Sequence, residues 1–352
     1  MLEQPNQTPP VSIVIPVYNG GESFRRCLSR LSQWGQDAEV IVVADGDSDN
    51  SWKLAEERGF KVIRLPESGG PARARNVGAG AASSDILFFI DADVEIHPTT
   101  VPRVICAFRE HPEISALIGS YDDAPGARNF LSQYKNLFHH YTHQEAKEKA
   151  STFWGACGAV RKDVFLEMGG FDESYRRPCV EDIELGYRLR QAGYQIRLFK
   201  HIQVKHLKRW TTVSLLRAEI FYRALPWMAL LLKIRQVNPH QYQVFASDLN
   251  LKWSSRASVA LVYGVLLAVG LSLWSYYALG VALSLVLVLI VINWPVYRFF
   301  NRKRGRLFTA CVLPWHWLYF FYSGLAFVVG WLRHKGQRYM ARMGLHRKAA
   351  VS

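Results

Sequence analysis

Two pairs of acidic residues stand out as candidates for chemistry. Asp91 and Asp93 are spaced i, i+2 and close an apolar run from Ile86 to Ile90. Five apolar residues in succession predict a strand buried on both faces. Such a sheet cannot hold an unpaired charge in its interior. Both carboxylates are therefore expected just past the strand's carboxyl end, where open α/β sheets bind ligands. Two acids there can hold a hard divalent cation, and the cation can hold a diphosphate. A lone Asp-Ala-Asp is more often a solvated turn, so the flanking sequence decides. The second pair, Glu181 and Asp182, begins a helical pattern that runs to Leu189, at the end where negative charge is favoured. Helix capping alone would account for that pair.

The elements that must position these acids alternate along the first 100 residues. Val11 to Val17 reads as a buried strand and ends in the turn Tyr18-Asn19-Gly20-Gly21, followed by a helix with Phe24, Cys27 and Leu28 at helical spacing. Ala38 to Ala44 reads as a second strand, followed by Asp45-Gly46-Asp47-Ser48-Asp49, with Asn50 or Ser51 as the cap of the next helix. Lys61 to Leu65 is a third, and Gly69 to Gly78 a loop entering a helix. This alternation predicts an α/β fold with a doubly wound, mostly parallel sheet. Three strand ends carry groups suited to a nucleotide. Asp45 can accept hydrogen bonds from a base or ribose, and Arg73 and Arg75 can face phosphates near helix-start N–H groups. A solvated turn and a helix surface are the plainer accounts of the same residues. Further on, residues 129–149 read as a helix with His139, His140 and His143, taken as a polar face more readily than as metal ligands.

The chain has 352 residues and a formal charge of +14, unevenly distributed. From His201 onward 20 Lys and Arg stand against two acids, whereas the first 200 residues hold 23 basic and 27 acidic side chains. The basic excess borders long uncharged stretches, which favours an anionic membrane surface as partner and no nucleic acid. The five cysteines are scattered without a C-x-x-C pair and read as reduced thiols of a cytosolic compartment. The polar, Pro-rich start predicts no signal peptide.

SIVIPVYNG, VVADGDSDNS, GGPARARNVG and FFIDADV, in this order, resemble the family 2 glycosyltransferases over roughly residues 11 to 215. That resemblance implies a GT-A fold that binds a nucleotide-diphosphate sugar, inverts the anomeric centre and uses Mn or Mg. It places Pro16, Tyr18, Asn19, Asp45, Arg73, Arg75, Asn76, Asp91, Ala92 and Asp93 around the donor, with Asp91 and Asp93 on the cation. It places Trp154, Gly155 and Glu181 near the sugar or acceptor and makes Asp182 the catalytic base. One departure is Ala44, where the family often has the first of two adjacent acids, which leaves the nucleoside open. His206-Leu207-Lys208-Arg209-Trp210 is similar in position to the QxxRW motif of processive members, with His for Gln, which argues for a non-processive enzyme. His206 is then a candidate third metal ligand or diphosphate contact, with Arg209 at the leaving group and Trp210 under the acceptor. A basic segment near the membrane is the alternative.

Residues 1–210 are thus expected to form a cytoplasmic glycosyltransferase domain, 211–255 an amphipathic interfacial linker and 256–352 a transmembrane region. Ala257 to Tyr297 holds no charge over 41 residues, enough for two spans, 257–274 and 277–297, since one needs about 20 residues. The uncharged 307–332 reads either as a third span or as a re-entrant segment. The anchor favours a cell-membrane, multi-pass protein with a lipid or lipid-linked acceptor. A polyprenyl phosphate acceptor and a non-catalytic nucleotide-binding scaffold are the alternatives.

Overall fold

The computed structural model describes residues 10–237, 239, 242, 245 and 252–342. The chain divides into two compact units, Met1–Thr212 and Val213–Ser352. The Pro-rich start before residue 10, several residues of the expected linker between 238 and 251, and Arg347 and Lys348 lie outside the described residues.

The first unit is built on a nine-stranded sheet. β1 (Ser12–Val17), β2 (Glu39–Asp45), β3 (Lys61–Leu65) and β4 (Ile86–Ile90) form its parallel part. β5 (Val94–Ile96), β6 (Ala116–Tyr121), β7 (Lys149–Ala150), β8 (Cys157–Arg161) and β9 (Ile196–His206) complete it, in the order β3-β2-β1-β4-β8-β6-β9-β5 with β7 on β9. Beyond β4 the pairing is mixed: β8 runs antiparallel to β4 and β6, β5 and β7 antiparallel to β9, while β6 and β9 are parallel. The three inner parallel strands, β1, β2 and β4, follow the apolar runs of the sequence because both faces are covered; Ile13, Ile15, Val42, Phe88 and Ile90 are all fully buried, whereas β3 lies at the sheet edge with Lys61 and Arg64 exposed.

Among the described residues this unit has seven helices: α1 (Gly21–Trp34), α2 (Ser51–Glu56), α3 (Pro71–Gly80), α4 (Thr100–Glu110), α5 (Phe130–Gln144), α6 (Lys162–Glu167) and α7 (Glu181–Gln191). α1 buries Phe24, Cys27, Leu28 and Leu31, an i, i+3, i+4, i+7 stripe laid on the sheet. One local expectation changes. Asn50 sits at φ 60° and makes no side-chain cap; Asp49 instead accepts the Ser51 N–H at 3.0 Å. In α7 the buried positions are Glu181, Leu185, Gly186, Tyr187 and Leu189, with Ile183 half-buried.

In the second unit α8 (Thr212–Arg217) continues as a π-helix, Ala218–Ala224, and then α9 (Leu225–Val237). α10 (Trp253–Leu271) and α11 (Tyr277–Ile292) form an apolar hairpin, followed by α12 (Trp294–Arg342). α12 is broken at Gly305, whose φ of 83° is a left-handed conformation that glycine adopts without a Cβ penalty. Within this unit Tyr263 Oη donates to the Phe321 carbonyl at 2.9 Å, and Asn293 Nδ2 to Ser258 Oγ at 2.8 Å. Glu219 is buried, accepts from Arg223 at 2.7 Å and from Tyr322 Oη at 3.1 Å. By length and composition, Trp253–Leu271 and Trp294–Gly336 could each cross a membrane; α11, with 16 residues, is shorter than the ~20 that a span needs.

Candidate active site

The Asp91-Ala92-Asp93 turn lies between β4 and β5, past the carboxyl end of the buried strand, as its charge requires. The two carboxylates have different partners. Asp91 Oδ1 accepts from Arg75 Nη2 at 2.7 Å. Asp93 Oδ2 faces His206 Nε2 at 3.5 Å. The pairing of Val94 with His206 and the Leu207 N–H bond to the Asp93 carbonyl, 2.8 Å, hold that last pair together. Burial works against ionisation of Asp93, but His206 and Lys208 outweigh it and hold the carboxyl below its usual range.

Arg75 is a buried residue of α3 and joins the two acidic motifs. One terminal nitrogen reaches Asp91; the other, Nη1, donates to Glu181 Oε1 at 2.9 Å. Glu181 is itself 3% exposed, and its second oxygen accepts the Cys179 N–H at 2.8 Å. Burying a carboxylate this deeply requires such partners. Asp182, next in the helix, accepts from the Gly155 N–H at 3.1 Å and from the Ile183 N–H at 2.8 Å. Burial, and then the charge of Glu181, push its pKa up to about 7, against the pull of Gly155 and Arg75. Gly155 lies flat against the Arg75 guanidinium, where a Cβ would stand 3.0 Å from Cζ.

Several residues expected at the donor serve the protein itself. Asp45 is buried and accepts from Ser68 Oγ (2.8 Å) and from the N–H groups of Gly69 and Gly70 (2.9 Å each). It therefore shapes the loop that enters α3. Gly70 sits at φ +94° against the Arg176 backbone, with no room for a Cβ. Asn76 clips the Phe171 backbone, accepting at 2.8 Å and donating at 2.9 Å. Asn19 Oδ1 accepts the Ser48 N–H at 2.8 Å. Arg75, expected at phosphates, is instead the internal bridge. Tyr18 and Arg209 are exposed, and Pro16, Arg73, Ala92 and Trp154 half-buried. Trp210, expected under the acceptor, is 3% exposed, with its backbone tied to α5.

The fit to a divalent cation is mixed. Asp93 and His206 come together, but Asp91 is turned to Arg75, and among the described residues no three His, Cys, Asp or Glu side chains form a group able to hold an ion. The Asp93–His206 donor set, an oxygen and an imidazole nitrogen, supplies two ligands of the kind a divalent cation takes, and further oxygens would have to complete it. Of the α5 histidines, His140 and His143 are buried. His140 Nδ1 bonds the Tyr121 carbonyl at 2.7 Å, and His143 packs edge-on to Trp154 with ring centroids 4.7 Å apart. Burial, with His140 nearby, holds His143 down at about 4, so it is neutral. Tyr121 stacks on His206 (4.4 Å, 8°) and meets Trp154 edge-on at 4.6 Å. Sequence reasoning did not single out Tyr121 or the Ser132 and Asn136 positions of α5; spacing within α5 was the available signal.

A mixed α/β sheet with paired carboxylates at the ends of its elements defines a GT-A-like protein. A family model described as glycosyl transferase family 2 matches residues 12–169, and one described as the N-terminal domain of galactosyltransferase matches 135–212. The first of these matches makes residues 12–169 a family 2 glycosyltransferase domain. The uncharacterized glycosyltransferase YibD of Escherichia coli (strain K12) is 36% identical over 99 residues, 27% of this chain and 29% of its own length. Poly-beta-1,6-N-acetyl-D-glucosamine synthase of Staphylococcus aureus is 26% identical over 201 residues, 53% of this chain and 47% of its own. The chain thus spans less than half of either relative. Among solved structures, S. aureus TarS 1-349 in complex with UDP-GlcNAc has a TM-score of 0.52 at 20% identity, covering 69% of this chain and 72% of that one. Mannosyltransferase PcManGT from Pyrobaculum calidifontis in complex with GDP-Man and Mn2+ has a TM-score of 0.54 at 13% identity, covering 92% and 88%. These two likenesses are of fold.

Proposed function

We propose that this chain transfers a sugar, with inversion, from a nucleotide-diphosphate sugar to a hydroxyl of a membrane-associated, lipid or lipid-linked acceptor. The observation that carries the reading is the Arg75 bridge, which draws the Asp91-Asp93 turn and the Glu181-Asp182 helix start onto one site. Tyr18, Arg73 and the loop shaped by Asp45 and Asn76 line the donor side. Asp93 and His206, with Asp91, would hold a divalent cation; when bound, it neutralises charge on the departing diphosphate.

The acceptor hydroxyl attacks the anomeric carbon as the bond to the diphosphate breaks on the opposite face, and Asp182 takes the hydroxyl proton. The raised pKa of Asp182 suits that task, because a base matched to neutral pH accepts a proton more readily than an ordinary carboxylate. A polyprenyl phosphate is already ionised and has no use for this base, so a hydroxyl acceptor is favoured. Membrane anchoring is supported by the outer faces of α10 and α11, where Leu267, Leu283, Leu287 and Val291 are exposed. The basic run Arg298 to Arg306 supports a cytoplasmic site, by the positive-inside tendency.

The test is nucleoside diphosphate release by detergent-solubilised protein across a panel of nucleotide sugars, with Mn2+ or Mg2+, with and without a total lipid extract. Release that needs cation and lipid and is lost in Asp182→Asn supports the reading. Release that Asp182→Asn leaves intact removes the assigned base, and lipid-independent release removes the lipid acceptor.

A further inference from the structure

Helix α5 carries a polar stripe that its aromatic neighbours do not explain. Asn129, just before the helix, and Ser132 and Asn136 within it, recur at i, i+3, i+7 and so share one face. All three meet the end of β9 and the residues just after it. Asn129 Nδ2 donates to the Trp210 carbonyl at 2.7 Å, and Ser132 Oγ accepts the Trp210 N–H at 2.7 Å. Asn136, 1% exposed, sets its Oδ1 at 2.6 Å from His206 Nδ1.

We propose that Asn136 is a positioning residue for the cation site: by accepting the His206 Nδ1–H it fixes the imidazole tautomer that turns the Nε2 lone pair toward Asp93. This rests on the reading of Asp93 and His206 as cation ligands. A carbonyl oxygen cannot donate, so the hydrogen between Asn136 and His206 belongs to Nδ1. A neutral imidazole protonated there has a bare Nε2. Nε2 lies 3.5 Å from Asp93 Oδ2, beyond a normal hydrogen bond, so in the neutral form two acceptors face each other across a gap that suits a cation, and in the protonated form the same ring pairs with Asp93 as an ion. Other restraints already fix the ring's place. The β5–β9 register sets the backbone, and the Tyr121 ring, 8° from parallel, blocks rotation. What remains to be set is which nitrogen carries the proton, and Asn136 sets it. Asn136 Nδ2 is buried without a hydrogen-bond partner among the described residues, a cost accepted on this orientation. Reversing the amide would put a donor at Nδ1, move the ring proton to Nε2 and aim an N–H at Asp93.

The experiment uses the full chain in detergent, with two readouts. The first is the tautomer of 15N-labelled His206, from long-range proton–nitrogen correlations without metal. The second is binding of Mn2+ alone, followed by loss of the free-ion EPR signal. The wild type is expected to show the Nδ1–H form, and Asn136→Leu to lose it and bind Mn2+ about 10–100-fold more weakly, the usual range for an outer-shell partner of a metal-bound histidine. Asn136→Asp, which can only accept, is expected to keep the tautomer and at least the wild-type affinity. A wild-type Nε2–H form overturns the inference, as does unchanged Mn2+ affinity in Asn136→Leu. If the Leu variant does not fold, Asn136→Asp decides: retained binding supports the inference, weakened binding overturns it. His206→Ala separates the two levels. If it binds Mn2+ as well as wild type, the cation reading itself fails; if it binds weakly while Asn136→Leu does not, only the positioning role fails.

Discussion

Asp93 and Asp182 are both carboxylates at the end of a secondary-structure element, both next to a second acid, and both pushed toward neutrality by burial. They end on opposite sides of the usual carboxylate range. At Asp93 the neighbours are His206 and Lys208, and the charged form wins. At Asp182 the nearest strong influence is Glu181, which adds to burial, and the pKa climbs to about 7. In each motif the other acid, Asp91 or Glu181, is the one held by Arg75. The difference separates two tasks. On the proposed function, the carboxylate that stays ionised would hold the cation, and the other would receive the proton. Environments that drive two acids apart in this way are how a site acquires distinct acid–base roles.

That contrast can be broken at its hinge. Arg75→Met leaves Glu181 buried without its ion pair and frees Asp91; removing one partner of a buried pair costs about 3–5 kcal/mol. Denaturant unfolding should register that loss, together with loss of transfer activity. An unchanged midpoint would mean that the bridge does not organise the two motifs. Next in size, Asp182→Asn should lower nucleoside diphosphate release by about 10²–10⁴-fold, the usual contribution of a general base. The same variant should unfold at a higher temperature near pH 8 than the wild type. The sign follows from linkage: a carboxyl whose folded pKa is raised binds its proton better in the folded state. It therefore costs stability as pH rises from the unfolded value toward about 7, and an amide removes that cost.

The pH profile gives a smaller effect. Turnover should rise through about pH 7 and level off above it, because Asp182 must be unprotonated to act. A flat profile between pH 6 and 8, with chemistry rate-limiting, would remove Asp182 as the base. Smallest is Lys208→Met, which takes one favourable charge from Asp93. Half-saturating Mn2+ should fall about two- to fivefold, because the ammonium repels the ion, in keeping with the few tenths to 1 kcal/mol of an exposed charge. A rise would instead mark Lys208 as a direct phosphate contact.

The three inner parallel strands were legible because burial on both faces forces unbroken apolar runs, while β3, at the sheet edge, is interrupted by Lys61 and Arg64. Lys61–Leu65 and Ile86–Ile90 appear in the fold with the bounds read from the sequence. The pairing beyond β4 was not legible: β5 has three residues and β7 two, too short to show a period. At the site, residue type and position marked Asp91, Asp93 and Asp182, but not how each acid and arginine is used. Asp45, Asn76, Arg75 and Glu181 sit at element ends, where a ligand and the protein's own backbone want the same donors and acceptors. Only the partner, such as Gly70 N–H for Asp45 or Phe171 for Asn76, tells the two uses apart, and those partners lie 25 and 95 positions away. The α5 stripe was hidden for a related reason: its partners, His206 and Trp210, lie 70 to 81 positions downstream.

The Asp45 clamp has a thermodynamic consequence. Ser68, Gly69 and Gly70 are hydrogen-bonded to a buried carboxylate before any ligand arrives. Ordering a residue's backbone costs about 1–2 kcal/mol, so a loose loop of this length would charge an arriving ligand several kcal/mol. Here folding has already met that cost. The entropy of the free chain at this loop should therefore be low, and binding there should proceed without a slow ordering phase, at a rate set by encounter.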